Sequence, residues 1–236
     1  MGKSMPYFLY VFCLLGLSAQ SQTFAKQNTQ ATQLQTSAGK SESATKAPAQ
    51  SPQDWSVDGI NRANWSEGLG RGQYPVYARA QVMLNNLHVS PGAIDASSGK
   101  NFLKALAAYQ QIQGLPVTGE LTKQTWDSLL KNQKAAAFGT YQITAEDLKG
   151  PYAKSIPRNY ALQAKMPGLY YTRVTEMLGE KFHLDEEFLK KINPKANFKK
   201  VGTSIIVPIV RNDLPQDVSL IIAHKAARQL YLYNHL

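Results

Sequence analysis

The chain has 236 residues, 43% of them hydrophobic and 10% aromatic, enough apolar material for one or two small packed domains. Its 26 Lys and Arg against 16 Asp and Glu leave a net charge of +10, but the only doublets are Lys190-Lys191 and Lys199-Lys200, so the excess reads as a solvated basic surface with no nucleic-acid partner. The single cysteine, Cys13, excludes an intrachain disulfide and a cysteine-rich metal site.

Residues 1–25 have the layout of a secretory signal peptide. Lys3 precedes an apolar run from Tyr7 to Leu17, and small and polar residues then offer cleavage points after Ala19, Ser21 or Ala25. The run is shorter than the roughly 20 apolar residues of a membrane-spanning helix, so no stable membrane span is expected once the signal is cleaved. An uncleaved anchor is the structural alternative. Phe12 before Cys13 argues against a lipid-modified cysteine, and cleavage would leave no thiolate in the mature chain. Residues 26–54, dominated by Gln, Thr, Ser and Ala, read as a disordered spacer or an unselected tail. Residues 55–76 form a lead-in segment, in which Trp55, Ile60, Trp65 and Leu69 are expected to pack against the part that follows.

Residues 77–130 carry the strongest pattern. Ala80, Met83, Leu84 and Leu87, then Phe102, Ala105, Leu106, Tyr109 and Ile112, recur at three- and four-residue steps, the period of two amphipathic helices sharing a core. Thr122 is placed as the N-cap of a third helix with Trp126, Leu129 and Leu130 on its apolar face. Turn-forming residues separate the helices: Ser90-Pro91-Gly92, Asp95 to Gly99, and Gly114 to Gly119. Gln81 with Leu84, Pro91-Gly92, Asp95, Gly99, the Ala105–Gln110 helix, Gly114-Leu115-Pro116, Thr118-Gly119 and Thr125-Trp126 together resemble the peptidoglycan-binding domain, type 1. Ala96 stands where that family usually has glycine. The resemblance implies peptidoglycan as the partner. For ligand contact the loop from Asp95, with Lys100 and Asn101, and the neighbouring Tyr109 are the candidates, the aromatic ring being suited to sugar stacking; in the competing reading Tyr109 and Trp126 are core aromatics.

Residues 131–164 read as an irregular connector, with Thr144 opening a short acidic turn and prolines interrupting any long helix. In residues 165–210, Thr172 to Phe182 supports one helix, Asp185 to Ile192 a second with Asp185 as N-cap, and Ser204 to Val210 a β-branched strand after Gly202. Helix, helix, Asn193-Pro194, Gly202 and Ile206-Val207-Pro208 resemble the last two-thirds of a LysM fold, whose opening strand is not recognisable around Leu169 to Glu176. Residues 217–236 alternate as two strands, and Ser219 to Tyr233 resembles the first hairpin of an L,D-transpeptidase catalytic domain of the YkuD type. A two-stranded hairpin is marginal alone, so a partner is expected to cover 218–233.

The fold class expected is therefore mainly α with a small α+β part: a three-helix peptidoglycan-binding module, a LysM-like segment and a terminal hairpin of an incomplete β-sandwich. L,D-transpeptidase chemistry needs a cysteine nucleophile in a Ser-x-Gly-Cys-type motif, which the resemblance places downstream of the hairpin. His88, His183, His224 and His235 are isolated and show no zinc spacing, and Asp185-Glu186-Glu187 sits at a helix start that favours negative charge. No catalytic residue, metal or cofactor is assigned. The reading is an exported peptidoglycan-binding protein of the periplasm or cell envelope, a truncated L,D-transpeptidase-like chain. The alternative is the N-terminal targeting region of an active L,D-transpeptidase whose cysteine is encoded beyond Leu236.

Overall fold

The computed structural model describes residues 10–13, 53–211 and 217–233. Apart from Tyr10–Cys13, the segment read as a signal peptide lies outside these residues, as does the spacer up to residue 52.

Three helices build the first layer: α2 (Pro75–Asn86), α3 (Lys100–Ile112) and α4 (Lys123–Asn132), preceded by a short α1 (Val57–Arg62). Pro75 opens α2 where its missing N–H is not needed, and the Thr122 side chain caps α4 by accepting from the Thr125 amide. Their apolar faces meet in a core containing Met83, Leu84, Phe102, Leu106, Tyr109, Trp126 and Leu129.

The α2 helix is not the one-sided amphipathic helix its period predicts. Ten of its twelve residues are buried, because Ala78 and Val82 on its other side enter a second core. That core is built on a part read from sequence as an irregular connector. Phe138–Gln142 is a strand, β2, paired antiparallel with β3 (Ser204–Pro208) with Thr140 opposite Ile206. Two short helices, α5 (Ala145–Lys149) and α6 (Tyr160–Gln163), and their loops follow β2 in the chain. Gly139 and Thr140 blur the β2 pattern, and pairing with Ile205 to Val207 supplies what propensity does not. Thr144 caps α5 through a reciprocal capping box with Asp147.

Between the two strands run α7 (Val174–Lys181) and α8 (Glu186–Ile192), the latter capped by Asp185, whose carboxylate accepts from the Phe188 amide. Asn193 locks α8 to β3: its side-chain amide donates to the Leu189 and Ile206 carbonyls, and its oxygen accepts from the Ile206 amide at 2.6 Å. The two layers are zipped together where the Ile94 amide donates to the His183 carbonyl and the Asp185 amide to the Ile94 carbonyl. The lead-in segment divides between them. Trp65 and Leu69 pack on the three-helix core as expected, but Trp55 and Ile60 belong to the second core, Trp55 lying edge-on to Phe188.

A three-stranded sheet completes the described residues, in the order β1 (Tyr10–Cys13), β5 (Gln229–Tyr233), β4 (Leu220–His224), all antiparallel. The hairpin expected at 217–236 is formed, Tyr231 packs against the three-helix core, and β1 covers the free edge of β5. No helix among the described residues is long and apolar enough to cross a membrane.

Candidate functional site

Two buried glutamines shape the loops of the three-helix layer. The side-chain oxygen of Gln81, on α2, accepts from the Asp95 and Ala96 amides, while its nitrogen donates to the Asp95 carboxylate at 2.8 Å and to the Ser97 carbonyl. Gln110 repeats the device on α3. Its oxygen accepts from the Thr118 and Gly119 amides at 2.9 Å, and its nitrogen lies within bonding distance of Thr118 Oγ1, the Glu120 carbonyl and Thr125 Oγ1. A buried amide flanked by loop N–H and C=O groups satisfies both its own polar atoms and theirs, which is why each loop keeps one shape. Ala96 holds a φ of 62° and Gly119 one of 71° inside these clamps. The loop geometry thus survives the alanine found where glycine is usual, at a cost of about 1–2 kcal/mol for a left-handed residue with a Cβ.

This arrangement redistributes the candidate residues. Asp95 is part of the clamp: one carboxylate oxygen takes the Gln81 amide and the Ser97 N–H. Lys100 is exposed at the first turn of α3, and Asn101 lies beside Gly92, where an added Cβ would come within 3.2 Å of its side-chain nitrogen. Tyr109 is 1% exposed, and its hydroxyl bonds to Ser128 and Asn132, so its ring offers no face to a sugar. It also sits nine residues beyond Lys100, about 13 Å along the helix axis, so the four residues do not form one site. The stacking role proposed for Tyr109 is corrected accordingly: its helical period places it on the buried stripe. Trp126 is likewise a core ring, its indole N–H donating to Asn64 and the Arg79 guanidinium lying 5.3 Å from its centre.

A concavity of this layer lies elsewhere, between the lead-in segment and α3. A groove of about 550 Å³ has Leu69, Phe102, Leu103, Leu106 and Leu121 in its floor and Trp65 in its wall. Arg71, Glu120 and Lys123 line it with both signs of charge. The strap 65–71 that forms one wall is fastened at both ends: the Trp65 indole donates to the Leu121 carbonyl at 2.6 Å, and the Tyr77 hydroxyl donates to the Gly70 carbonyl at 2.9 Å. Burial raises the Tyr77 pKa, with Tyr74 and Glu120 adding to the effect, so the phenol remains a donor. Leu103, 38% exposed, is the floor residue most open to a ligand. The sequence reading assigned Trp65 and Leu69 only to packing; the signal available was an aromatic and an aliphatic residue among Ser, Glu and Gly, too sparse for any period.

The other singled-out groups take structural places. His224 accepts the Ala227 amide at the hairpin turn, and Asp185 and Glu186 are used as a helix cap and in an ion pair with Arg173. Among the described residues no group of three His, Cys, Asp or Glu could hold a metal ion.

Residues 75–129 match the model of a putative peptidoglycan binding domain. The match begins at the Pro75 that opens α2 and ends at Leu129 in α4, so it spans the three helices and both glutamine-clamped loops. No curated protein matches the chain. The chain therefore carries a peptidoglycan-binding domain, which supports a role in binding the cell wall and an association with the cell envelope.

Proposed function

We propose that the chain is an exported component of the bacterial cell envelope that docks on peptidoglycan through the groove between the 65–71 strap and α3. The domain matched over residues 75–129 carries this reading. The groove suits the peptide part of the wall better than its sugars. Two of its aromatic rings, Tyr77 and Phe102, are buried at 5% and 1% exposure and the third, the half-buried Trp65, spends its indole N–H on the Leu121 carbonyl, whereas Leu103 with Arg71, Glu120 and Lys123 offers aliphatic contact and charges of both signs. Stem peptides carry aliphatic side chains, carboxylates and amines. The test is co-sedimentation of the full chain with isolated sacculi. Leu103→Asp is expected to lower the bound fraction severalfold, and Val201→Asp, 52% exposed in the second layer, to leave it unchanged. The reverse pattern sinks the assignment, provided both variants melt near the parent temperature.

The relation to L,D-transpeptidases belongs to the same proposal. With the inserted α5 and α6 set aside, strand β2, helices α7 and α8, and strand β3 follow the strand-helix-helix-strand order of a LysM-like unit, and the Ser219–Tyr233 hairpin has the sequence character of the start of a YkuD-type catalytic domain. In this reading the domain brings a cross-linking L,D-transpeptidase to its substrate, and the nucleophilic cysteine is supplied from outside the 236 residues. A Ser-x-Gly-Cys motif in the gene past the codon for Leu236 favours a complete enzyme. Its absence there leaves a wall binder with a residual hairpin.

A further inference from the structure

A cavity in the second layer, beside α5 and α7, joins aromatic surface to negative charge. Its volume is about 470 Å³, within the roughly 300–1,000 Å³ of small-molecule sites. Tyr152, Tyr170 and Tyr171 line it together with Leu169 and Met177. Tyr171 is 40% exposed and Leu169 64%, so this surface is open to solvent, unlike the Tyr77 and Phe102 rings of the first groove. The chain carries a net charge of +10, yet the only ionised side chains lining the cavity are the carboxylates Glu146 and Asp147.

The walls are held in place. The Ala153 amide donates to the Tyr171 carbonyl at 2.8 Å, tying the 150–153 segment to the 169–171 segment. The Tyr152 hydroxyl donates to the Asp147 carbonyl. Two rings lie close against glycines: a Cβ on Gly150 would come within 2.8 Å of the Tyr152 ring, and one on Gly168 within 2.7 Å of the Tyr170 ring. Ordering the rings before a ligand arrives removes part of the entropic cost of binding.

Electrostatics narrows the ligand to a cation. Tyrosine rings attract cations through their quadrupole, and two carboxylates repel anions. The Asp147 charge reaches into the cavity: after burial, it is what raises the Tyr152 pKa, and its ion-pair partner Lys181 is not among the lining residues. Hydrogen bonding narrows the ligand further. One Asp147 oxygen accepts from the Tyr141 and Thr144 hydroxyls and the Thr144 amide, and the other from the Lys181 ammonium. The Glu146 side chain is 78% exposed and lies 3.8 Å from Lys149. An ammonium with several N–H groups would lose water here without gaining a buried acceptor for each. A fully methylated ammonium has no N–H to satisfy, and its methyl groups suit Leu169, Met177 and the rings. We propose that the Tyr152–Tyr170–Tyr171 cavity binds a quaternary ammonium group, the trimethylammonium shared by free choline and a phosphatidylcholine headgroup. The site is separate from the groove on α3 and does not depend on wall docking.

Calorimetric titration of the full chain with choline tests it, beside 3,3-dimethylbutanol, in which carbon replaces the ammonium nitrogen. Saturable choline binding is expected, with the neutral isostere about tenfold weaker because it keeps the shape and loses the charge. Tyr171→Ala should weaken choline about tenfold, and Tyr171→Phe, which keeps the ring, should hold it within about twofold. Methylammonium should bind more weakly than choline, and Val201→Asp should change nothing. Absence of saturation, equal affinity for the isostere, tighter binding of methylammonium, or undiminished binding by Tyr171→Ala overturns the proposal. The isostere comparison uses the parent chain alone, so it decides even if Tyr171→Ala fails to fold. Sedimentation with phosphatidylcholine vesicles, against phosphatidylglycerol vesicles, separates the sources. Pelleting that free choline reverses assigns the lipid headgroup, and choline binding without pelleting assigns a soluble choline compound. Saturating choline should leave sacculus binding unchanged, so this site and wall docking stand or fall separately.

Discussion

At the scale of single residues, the stability of the described layers depends on a few buried polar groups that each satisfy several partners. Gln110→Ala would strip the partners from the Thr118 and Gly119 amides and from the Glu120 carbonyl. Water reaches part of that loop, so a loss of about 2–3 kcal/mol is expected in urea unfolding, against about 0.5 kcal/mol or less for the exposed Gln124→Ala. Asp147 makes a second such centre. Burial pushes its carboxyl pKa up, but the Thr144 amide, the Lys181 ammonium and the Tyr141 and Thr144 hydroxyls outweigh burial and bring it down to about 2. The folded pKa lies below the unfolded one near 3.8, so its contribution is present above that value and lost as pH falls through about 2. The shift corresponds to about 2 kcal/mol. Denaturation series at pH 5 and pH 2 should show the parent losing that much more stability than Asp147→Asn. Glu186, held at about 2 first by its hydrogen bond from Arg173, leaves some acid sensitivity in the variant.

At the scale of elements, Gly179 shows why helix propensity does not decide. In an exposed helix Gly→Ala gains about 1 kcal/mol. Here the added Cβ would stand 2.8 Å from the Leu184 carbonyl oxygen, in a turn fixed by the bond from the Leu184 amide to the Gly179 carbonyl at 2.7 Å. Overpacking against backbone costs about 1–3 kcal/mol, so Gly179→Ala should lower the stability read by thermal melting and not raise it. The terminal sheet gives a further expectation. If export removes residues 1–25, β1 goes with them and the β5 edge opens. Amide exchange over Gln229–Tyr233 should be faster in protein that begins at Lys26 than in the full chain; equal protection would mean that β1 contributes nothing to the sheet.

At the scale of the molecule, the two layers share α2 and the Ile94 bridge to Leu184, so neither is an independent bead on a string. His183 lies at that seam. Its Nδ1 is 3.0 Å from Asn85 Oδ1, and burial pulls its pKa below the ordinary 6.5, with Glu180 opposing. The folded state keeps the imidazole neutral to lower pH than the unfolded chain, which takes up a proton near pH 6.5, so stability falls as pH drops below that value. The slope is at most about 1.4 kcal/mol per pH unit. Comparison of pH 7.5 with pH 5.5 should show this loss in the parent and a smaller one in His183→Asn. Asparagine is chosen because the residue sits at a φ of 55°, which asparagine tolerates.

The sequence by itself determined the elements whose cause is local: the three helices of residues 77–130 from their period, the Thr122 and Asp185 caps from their chemistry, the terminal hairpin from its alternation. The peptidoglycan-binding character of 75–129 was legible as a resemblance, since Gln81, Gln110 and the turn glycines stand in the order of that family's motif. Only the tertiary structure decided what depends on distant partners. Strand β2 exists because β3, some sixty residues later, pairs with it; Tyr109 is closed to ligand because Ser128 and Asn132 on α4 cover it; and the groove exists because Trp65 reaches across fifty-six residues to the Leu121 carbonyl. Periodicity records which side of an element is apolar. It does not record which other element comes to lie against it, and a binding site is made where two such surfaces leave a gap.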